Sequence, residues 1–285
     1  MKSMRQKPGS MKKGLEAACF MADRTSAGLT ESDAWAWARV NSLRHAHTLS
    51  HIVMHAKGKG REIDVLNASG LSAGHQDFSI LPALRDMGIE VNWHAIESPQ
   101  SPYLKDMRHI ESIERLGIRL KLTDLAIPGA LGHCGPFDVV LFTEIAEHLD
   151  HSVFLRALSG ISDALVPDGI LILTTPNLLS LGNRLRFLAG KGEGAWWGDG
   201  RMNMEKGLYG HISLYGPARI KKLLLDSGFA VDRCYTFSPG CGPAHFMRKA
   251  ASRLCGLLAT LVENGGATLV AVASKGEPVR VPPKI

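Results

Sequence analysis

Cysteine is sparse and unpaired in this chain: Cys19, Cys134, Cys234, Cys241 and Cys255 are its five, scattered and with no C-x-x-C among them. That pattern excludes a disulfide framework and a cysteine zinc site, and it predicts free thiols in a reducing compartment, the cytoplasm. No apolar run reaches the roughly 18 residues of a membrane-spanning helix. The basic start, with Lys2, Arg5, Lys7, Lys12 and Lys13, lacks an apolar stretch followed by a cleavage site, so no secretory signal is expected. Internal repeats are missing as well. Basic residues form no continuous track of the kind that follows a nucleic-acid backbone, so nucleic acid is not the expected partner. The formal charge of +6 and the pI near 9.1 then read as solvated tail and loop charge, Lys57-Gly-Lys59-Gly-Arg61 included.

What is present is enough apolar material, 45% of 285 residues, to bury one α/β core with extensions. Residues 1–60 read as an arm and a helix. Thr30 with Asp33 approximates a capping box, and the helix it opens is expected to run to about His55 and to stop before Lys57. His47, His51 and His55 share one stripe of that helix, read as a polar face with a metal-binding stripe as the sharper alternative. From residue 61 the pattern becomes strand, turn, helix repeated. Strands are expected at Ile63–Leu66, Glu90–Ile96, Ile118–Leu122, Phe137–Phe142 and Ile170–Thr175, with helices through about Met87, over 103–116 and over 154–166, and a turn at Pro167-Asp168-Gly169. Leu178 to Gly216 reads as an insertion or lid. A helix over Pro217–Ser227 follows, with Gly228 as its C-cap, and the last strands are Phe229–Phe237 and Ala267–Ala273. Between them a helix from about His245 to Val262 sets Met247, Leu254, Leu257, Leu258 and Leu261 opposite Arg248, Lys249 and Arg253. Packing on the sheet is its plain reading and a membrane-surface contact the sharper one. The fold class is α/β: a doubly wound, mostly parallel seven-stranded sheet over residues 61–275, with an N-terminal helical extension and a tail over 276–285.

Three elements at strand ends can together hold a nucleoside: a glycine-bearing turn after strand one, Glu97 after strand two and Asp124 after strand three. The stretch Pro136 to His151 adds a buried strand running into Thr143, Glu144, Glu147 and His148, and a helical turn there would bring the last three onto one face. A G-x-G-x-x-G after strand one is absent, which argues against a nicotinamide dinucleotide. With VLNASG at 65–70, HAIES at 94–98, LTDL at 122–125, FDVVLFTEIAEHL at 137–149 and PDGILILTTPN at 167–177, the chain resembles the class I S-adenosylmethionine-dependent methyltransferases. The late His211 and the helix ending at Gly228-Phe229 add to that likeness.

The resemblance implies a Rossmann-like methyltransferase fold and S-adenosylmethionine as cofactor. By position it implies that Asn67, Ser69 and Gly70 line the methionine moiety, Glu97 the ribose, Asp124 and Leu125 the adenine, and Thr143 the sulfonium side. Catalysis would fall to His148, His211 and Glu147. Glu144, Glu147, His148 and His211 also resemble the metal set of two branches that bind a divalent cation such as Mg. The chain departs from the family in its first turn, where an acid and three glycines are usual and Asn67-Ala-Ser-Gly70-Leu-Ser72 stands instead. The cofactor's amino group would lose a charge-assisted bond worth about 1.5–3 kcal/mol. The activity implied is methylation, at oxygen, of a small-molecule, glycan or lipid-linked acceptor. A methyltransferase-like binding or scaffold protein and an RNA-modifying enzyme are the alternatives. In the insertion, Asn183, Arg184, Arg186, Phe187, Trp196, Trp197 and Arg201 read as a lid with a role in substrate binding.

Overall fold

In the computed structural model, residues 31–71, 76–105, 107–131, 134–190, 211–238 and 256–276 are described. The chain divides into two compact units, Met1–Leu122 with Ser238–Leu258, and Thr123–Phe237 with Ala259–Ile285.

The first unit opens with α1 (Glu31–Lys59). It begins beside Thr30, as the sequence pattern predicts, but continues to Lys59 instead of ending near His55. Lys57 and Lys59 sit in its last turn, where cations favour the helix end, and Gly60 stops it at φ +62°. β1 (Ile63–Asn67), α2 (Gln76–Asp86) and β2 (Val91–Glu97) follow. A 3₁₀ turn (Pro102–Lys105), α3 (Met107–Leu116) and β3 (Arg119–Leu122) complete the run, so the single helix expected over 103–116 is two pieces. β1 pairs parallel with β2, and β2 parallel with β3. Leu49 and Ile52 of α1 are fully buried, and the Ser79 hydroxyl on α2 meets His45 Nδ1 of α1 at 2.6 Å.

The second unit holds β4 (Phe137–Thr143), α4 (His151–Ala164), β5 (Leu165–Pro176), α5 (Leu181–Leu188), α6 (Pro217–Asp226), β6 (Phe229–Phe237) and β7 (Thr268–Lys275). All of β4 is buried, which is why it reads as a near-continuous apolar run. β4 and β5 are parallel, whereas β7 runs antiparallel to both β5 and β6. The turn expected at Pro167-Asp168-Gly169 is instead part of β5. Leu165 already pairs with Phe137, and a register shift between Phe137 and Val139 absorbs the extra residues. Gly228 does follow α6 at φ +84°, as its capping role requires. The strand order is β3-β2-β1 in the first unit and β4-β5-β7-β6 in the second, which gives the seven-stranded, mostly parallel α/β sheet that the sequence pattern predicts.

The 245–262 helix lies outside the described residues up to 255. Beyond that, Leu257, Leu258 and Leu261 are 65%, 43% and 78% exposed. No described helix is long and apolar enough to cross a membrane. The mainly aliphatic core of the second unit holds an aromatic cluster. Phe154 of α4 stacks on Phe142 of β4 at 5.8 Å, and its other side meets Tyr215 at 5.3 Å, with the Arg219 guanidinium 5.3 Å from the Tyr215 ring centroid. Phe154→Ala should therefore lower stability by about 3–5 kcal/mol, read from the denaturant midpoint, while Met54→Ala on the exposed face of α1 should change it little.

Candidate active site

The turn after β1 is held from within. Asn67 Nδ2 donates to the Gly70 carbonyl at 3.2 Å and to Asp77 Oδ2 at 2.7 Å. Its Oδ1 accepts from Ser69 N and from Gln76 Nε2, each at 3.0 Å. Two donors and two acceptor positions are all that an amide offers, so Asn67 is fully committed to shaping the turn. Gly70 stands at φ +80°, a region closed to most side chains, and a β-carbon there would lie 3.3 Å from both carboxylate oxygens of Glu97. This is the one family glycine the chain keeps, and its surroundings explain why. Ser72, the last residue of that turn, lies outside the described residues.

Glu97 ends β2 and is 6% exposed. Its Oε2 accepts the Leu71 N–H at 2.7 Å and its Oε1 the Ser98 N–H at 2.9 Å, while burial pushes its pKa upward against these bonds and one from Ser101. It thus ties the second strand to the turn of the first. Sequence reasoning missed its companion Asp77. That carboxyl is fully buried in the first turn of α2, accepts from Asn67 and from the Trp93 indole N–H, and is pushed up by burial to about 6. The signal was available: Asp77 is an acid at a helix start, ten residues after a turn that lacks its usual acid.

In the second unit Asp124 is exposed and closes a tight turn by accepting the Ala126 N–H at 2.8 Å, with Leu125 half-buried beside it. Thr143 is buried as the last residue of β4, opposite Thr174 of β5. The chain then turns sharply. Glu144 adopts φ +52°, rare for a residue with a side chain and costing on the order of 1–3 kcal/mol, and only a 3₁₀ turn over Ala146–His148 follows before Asp150 caps α4. The helix that would align Glu144 with Glu147 and His148 is therefore not formed. Glu144 instead accepts the Thr174 hydroxyl at 2.9 Å, and Glu147 that of Thr175 at 2.9 Å.

Glu147, His148 and His211 do come together, with one ligand atom from each within 4.8 Å of the others. The Glu147 carbonyl accepts the N–H groups of Ile212 and Ser213 at 2.8 and 3.1 Å, which fastens the late segment. The His148 and His211 rings meet edge to face at 4.9 Å. Although His211 keeps an exposed face, its surroundings desolvate it enough to lower its pKa; His148 adds to this and Glu144 opposes it. Among the described residues this is the one His, Cys, Asp and Glu grouping close enough to hold an ion, so the His47, His51 and His55 stripe does not gather into a site. Of the insertion, Asn183 and Arg184 are spent on backbone: Arg184 reaches the Leu179 and Glu263 carbonyls at 2.7 and 2.9 Å. The sequence reading missed α5, which begins at Ser180 where the hydroxyl accepts the Asn183 N–H. Arg186 and Phe187 are exposed on it, and Trp196, Trp197 and Arg201 lie outside the described residues.

A profile of a methyltransferase-domain family matches residues 58–233, more than half of the chain. No curated protein matches in sequence. Among solved structures, the fold is similar to magnesium protoporphyrin IX methyltransferase (ChlM) from Synechocystis PCC 6803 with bound SAH, at TM-score 0.53 and 15% identity over 94% of this chain and 99% of that one. It is also similar to a putative methyltransferase of Haloferax volcanii in complex with the Trm112 activator, at 0.51 and 17% over 86% and 96%, and to a putative sarcosine dimethylglycine methyltransferase from Galdieria sulphuraria, at 0.51 and 13% over 84% and 88%. Gly70→Ala should cost about 1–2 kcal/mol for the left-handed backbone alone and should displace Glu97. The expected outcome is a lowered unfolding midpoint together with loss of S-adenosylhomocysteine binding in calorimetry.

Proposed function

The chain belongs to this methyltransferase-domain family and is an S-adenosylmethionine-dependent methyltransferase, and from that premise we propose that it methylates an oxygen of a small-molecule, glycan or lipid-linked acceptor, with His211 taking the proton. The observation that carries this reading is the edge-to-face pair of His148 and His211 beside buried Glu147, following the last residue of β4.

The residues fit the cofactor in kind. Gly70 leaves the backbone bare, and Glu97 keeps acceptor capacity beyond its bonds from Leu71, Ser98 and Ser101, which suits a ribose hydroxyl. Asp124 and Leu125 are assigned to the adenine and Thr143 to the sulfonium side. The cofactor supplies an electrophilic methyl group on sulfur, so the new carbon–oxygen bond forms as the carbon–sulfur bond breaks and a neutral thioether leaves. The protein's share is orientation and removal of the acceptor proton. Desolvation, with His148 beside it, lowers the His211 pKa, which favours the neutral ring with a nitrogen available as base. Glu147, fixed by the Thr175 hydroxyl, is 4.0 Å from His148 Nε2 and steadies the pair electrostatically.

A second reading rests on the same three side chains. A carboxylate and two imidazoles with ligand atoms within 4.8 Å are a donor set for a divalent cation, which would lower the acceptor hydroxyl's pKa. Glu144 lies outside that set, with one carboxylate oxygen bonded to Thr174.

With a methyl-acceptor screen supplying the substrate, His211→Ala should reduce kcat by about 10²- to 10⁴-fold, the range for a lost general base, and leave S-adenosylhomocysteine affinity within twofold. Activity of the unaltered enzyme should fall as pH drops through a value below 6.5, since protonation removes the base. A chelator that abolishes turnover, with recovery on adding Mg, would replace the base reading by the metal one.

A further inference from the structure

α5 lies within the second unit and carries four large apolar side chains, Leu181, Leu185, Phe187 and Leu188, yet none of its residues is buried. Its first half is fastened to the body by polar bonds. The Leu181 N–H reaches the Gly265 carbonyl at 2.9 Å, Asn183 donates to the Asn177 and Leu178 carbonyls, and Arg184 to those of Leu179 and Glu263. Its second half, Leu185-Arg186-Phe187-Leu188, is exposed at every residue, Leu188 to 86%. Leu261, on the turn that those bonds reach, is exposed as well. An apolar helix tip held outward by polar bonds at its base gains nothing from the protein core, and grouped apolar residues of this kind mark an interaction surface.

The surface is cationic as well as apolar. α5 holds Arg184 and Arg186 and no acid, and the turn over residues 261–265 holds one acid, Glu263, so positive charge is in excess in a chain of formal charge +6. Shape then separates two kinds of partner. A protein interface of ordinary size buries about 800 Å² a side over a broad surface. A projecting half-helix of three apolar residues and an arginine suits a deformable interface, where the apolar groups enter and the guanidinium stays among anionic headgroups.

We propose that the tip of α5, with Leu261 beside it, docks this protein peripherally on an anionic membrane surface. The docking element adjoins the segment that carries His211. The Leu178 N–H bonds the Tyr215 carbonyl at 2.9 Å, and Leu179 closes over Gly216, where a β-carbon would lie 3.2 Å from its side chain. Among the acceptor classes named above, docking favours the lipid-linked one, a consequence that rests on the methyl-transfer reading; the docking itself does not.

The test is sedimentation of the full chain with phosphatidylcholine vesicles, with and without phosphatidylglycerol. Binding to the anionic vesicles at low salt is expected, weakened roughly tenfold in the Leu185→Ser, Leu188→Ser double variant and several-fold in Arg186→Gln or at high salt. Because both leucines are exposed, the double variant should keep the unfolding midpoint and the S-adenosylhomocysteine affinity of the unaltered chain. Absence of vesicle binding, or equal binding by the double variant, would overturn the proposal. So would a lowered midpoint in that variant, which would show the leucines covered by the chain itself, or self-association that the variant abolishes, which would assign the face to a second copy. Vesicle binding needs neither cofactor nor acceptor, so its failure leaves the methyl-transfer reading standing. Failure of S-adenosylhomocysteine to bind would remove that reading and leave the vesicle result in place.

Discussion

The bond network between Glu97 and the turn after β1 is the constraint on which the end of the first two strands depends. One carboxylate oxygen takes the N–H of Leu71 and the other that of Ser98, so the ends of two parallel strands are locked together by a single side chain. That closeness dictates glycine at position 70, both for its φ of +80° and for the absence of a β-carbon. It also explains how a turn with one family glycine in place of three keeps its shape. The Asn67 amide closes four hydrogen bonds around it and substitutes for backbone freedom with side-chain rigidity.

The second unit follows a different logic. Its β4 is buried along its whole length, and the acid and histidine cluster follows directly after it. Glu144 at φ +52° makes the chain leave the strand abruptly, and neighbouring threonines of β5 each hold one acid, Thr174 for Glu144 and Thr175 for Glu147. Strain at the corner is sustained because strand pairing and these two bonds over-determine it. The Glu147 carbonyl then anchors Ile212 and Ser213, so His211 arrives beside His148 although it is far away in sequence.

Most of the strands were legible because each is a short apolar run stopped by a polar or glycine-bearing turn, and β6 matches its expected limits from Phe229 to Phe237. Glu97, Asp124 and Thr143 could be picked out as candidates because strand ends are where an α/β sheet keeps its ligands, and the structure places Glu97 and Thr143 as the last residues of their strands. What escaped were features set by tertiary pairing. Nothing local shows that Leu165 pairs with Phe137, so Pro167 to Gly169 looked like a turn. Nothing local shows that Glu144 takes a left-handed backbone, so a helical face with Glu147 and His148 was assumed. Asp77 was missed for a related reason: its bonds come from Asn67 and Trp93 in the strands on either side of its helix, and its complete burial is not advertised by a charged residue at a helix start.

Nucleoside binding by the Glu97-locked turn is the central claim, and it can be measured without knowing the acceptor. Calorimetric titration of S-adenosylhomocysteine into the unaltered protein and into Glu97→Gln is the most direct test. Saturable binding that weakens by tenfold or more in the variant is the predicted result. No heat at millimolar ligand in the unaltered protein, or equal affinity in both, would contradict it.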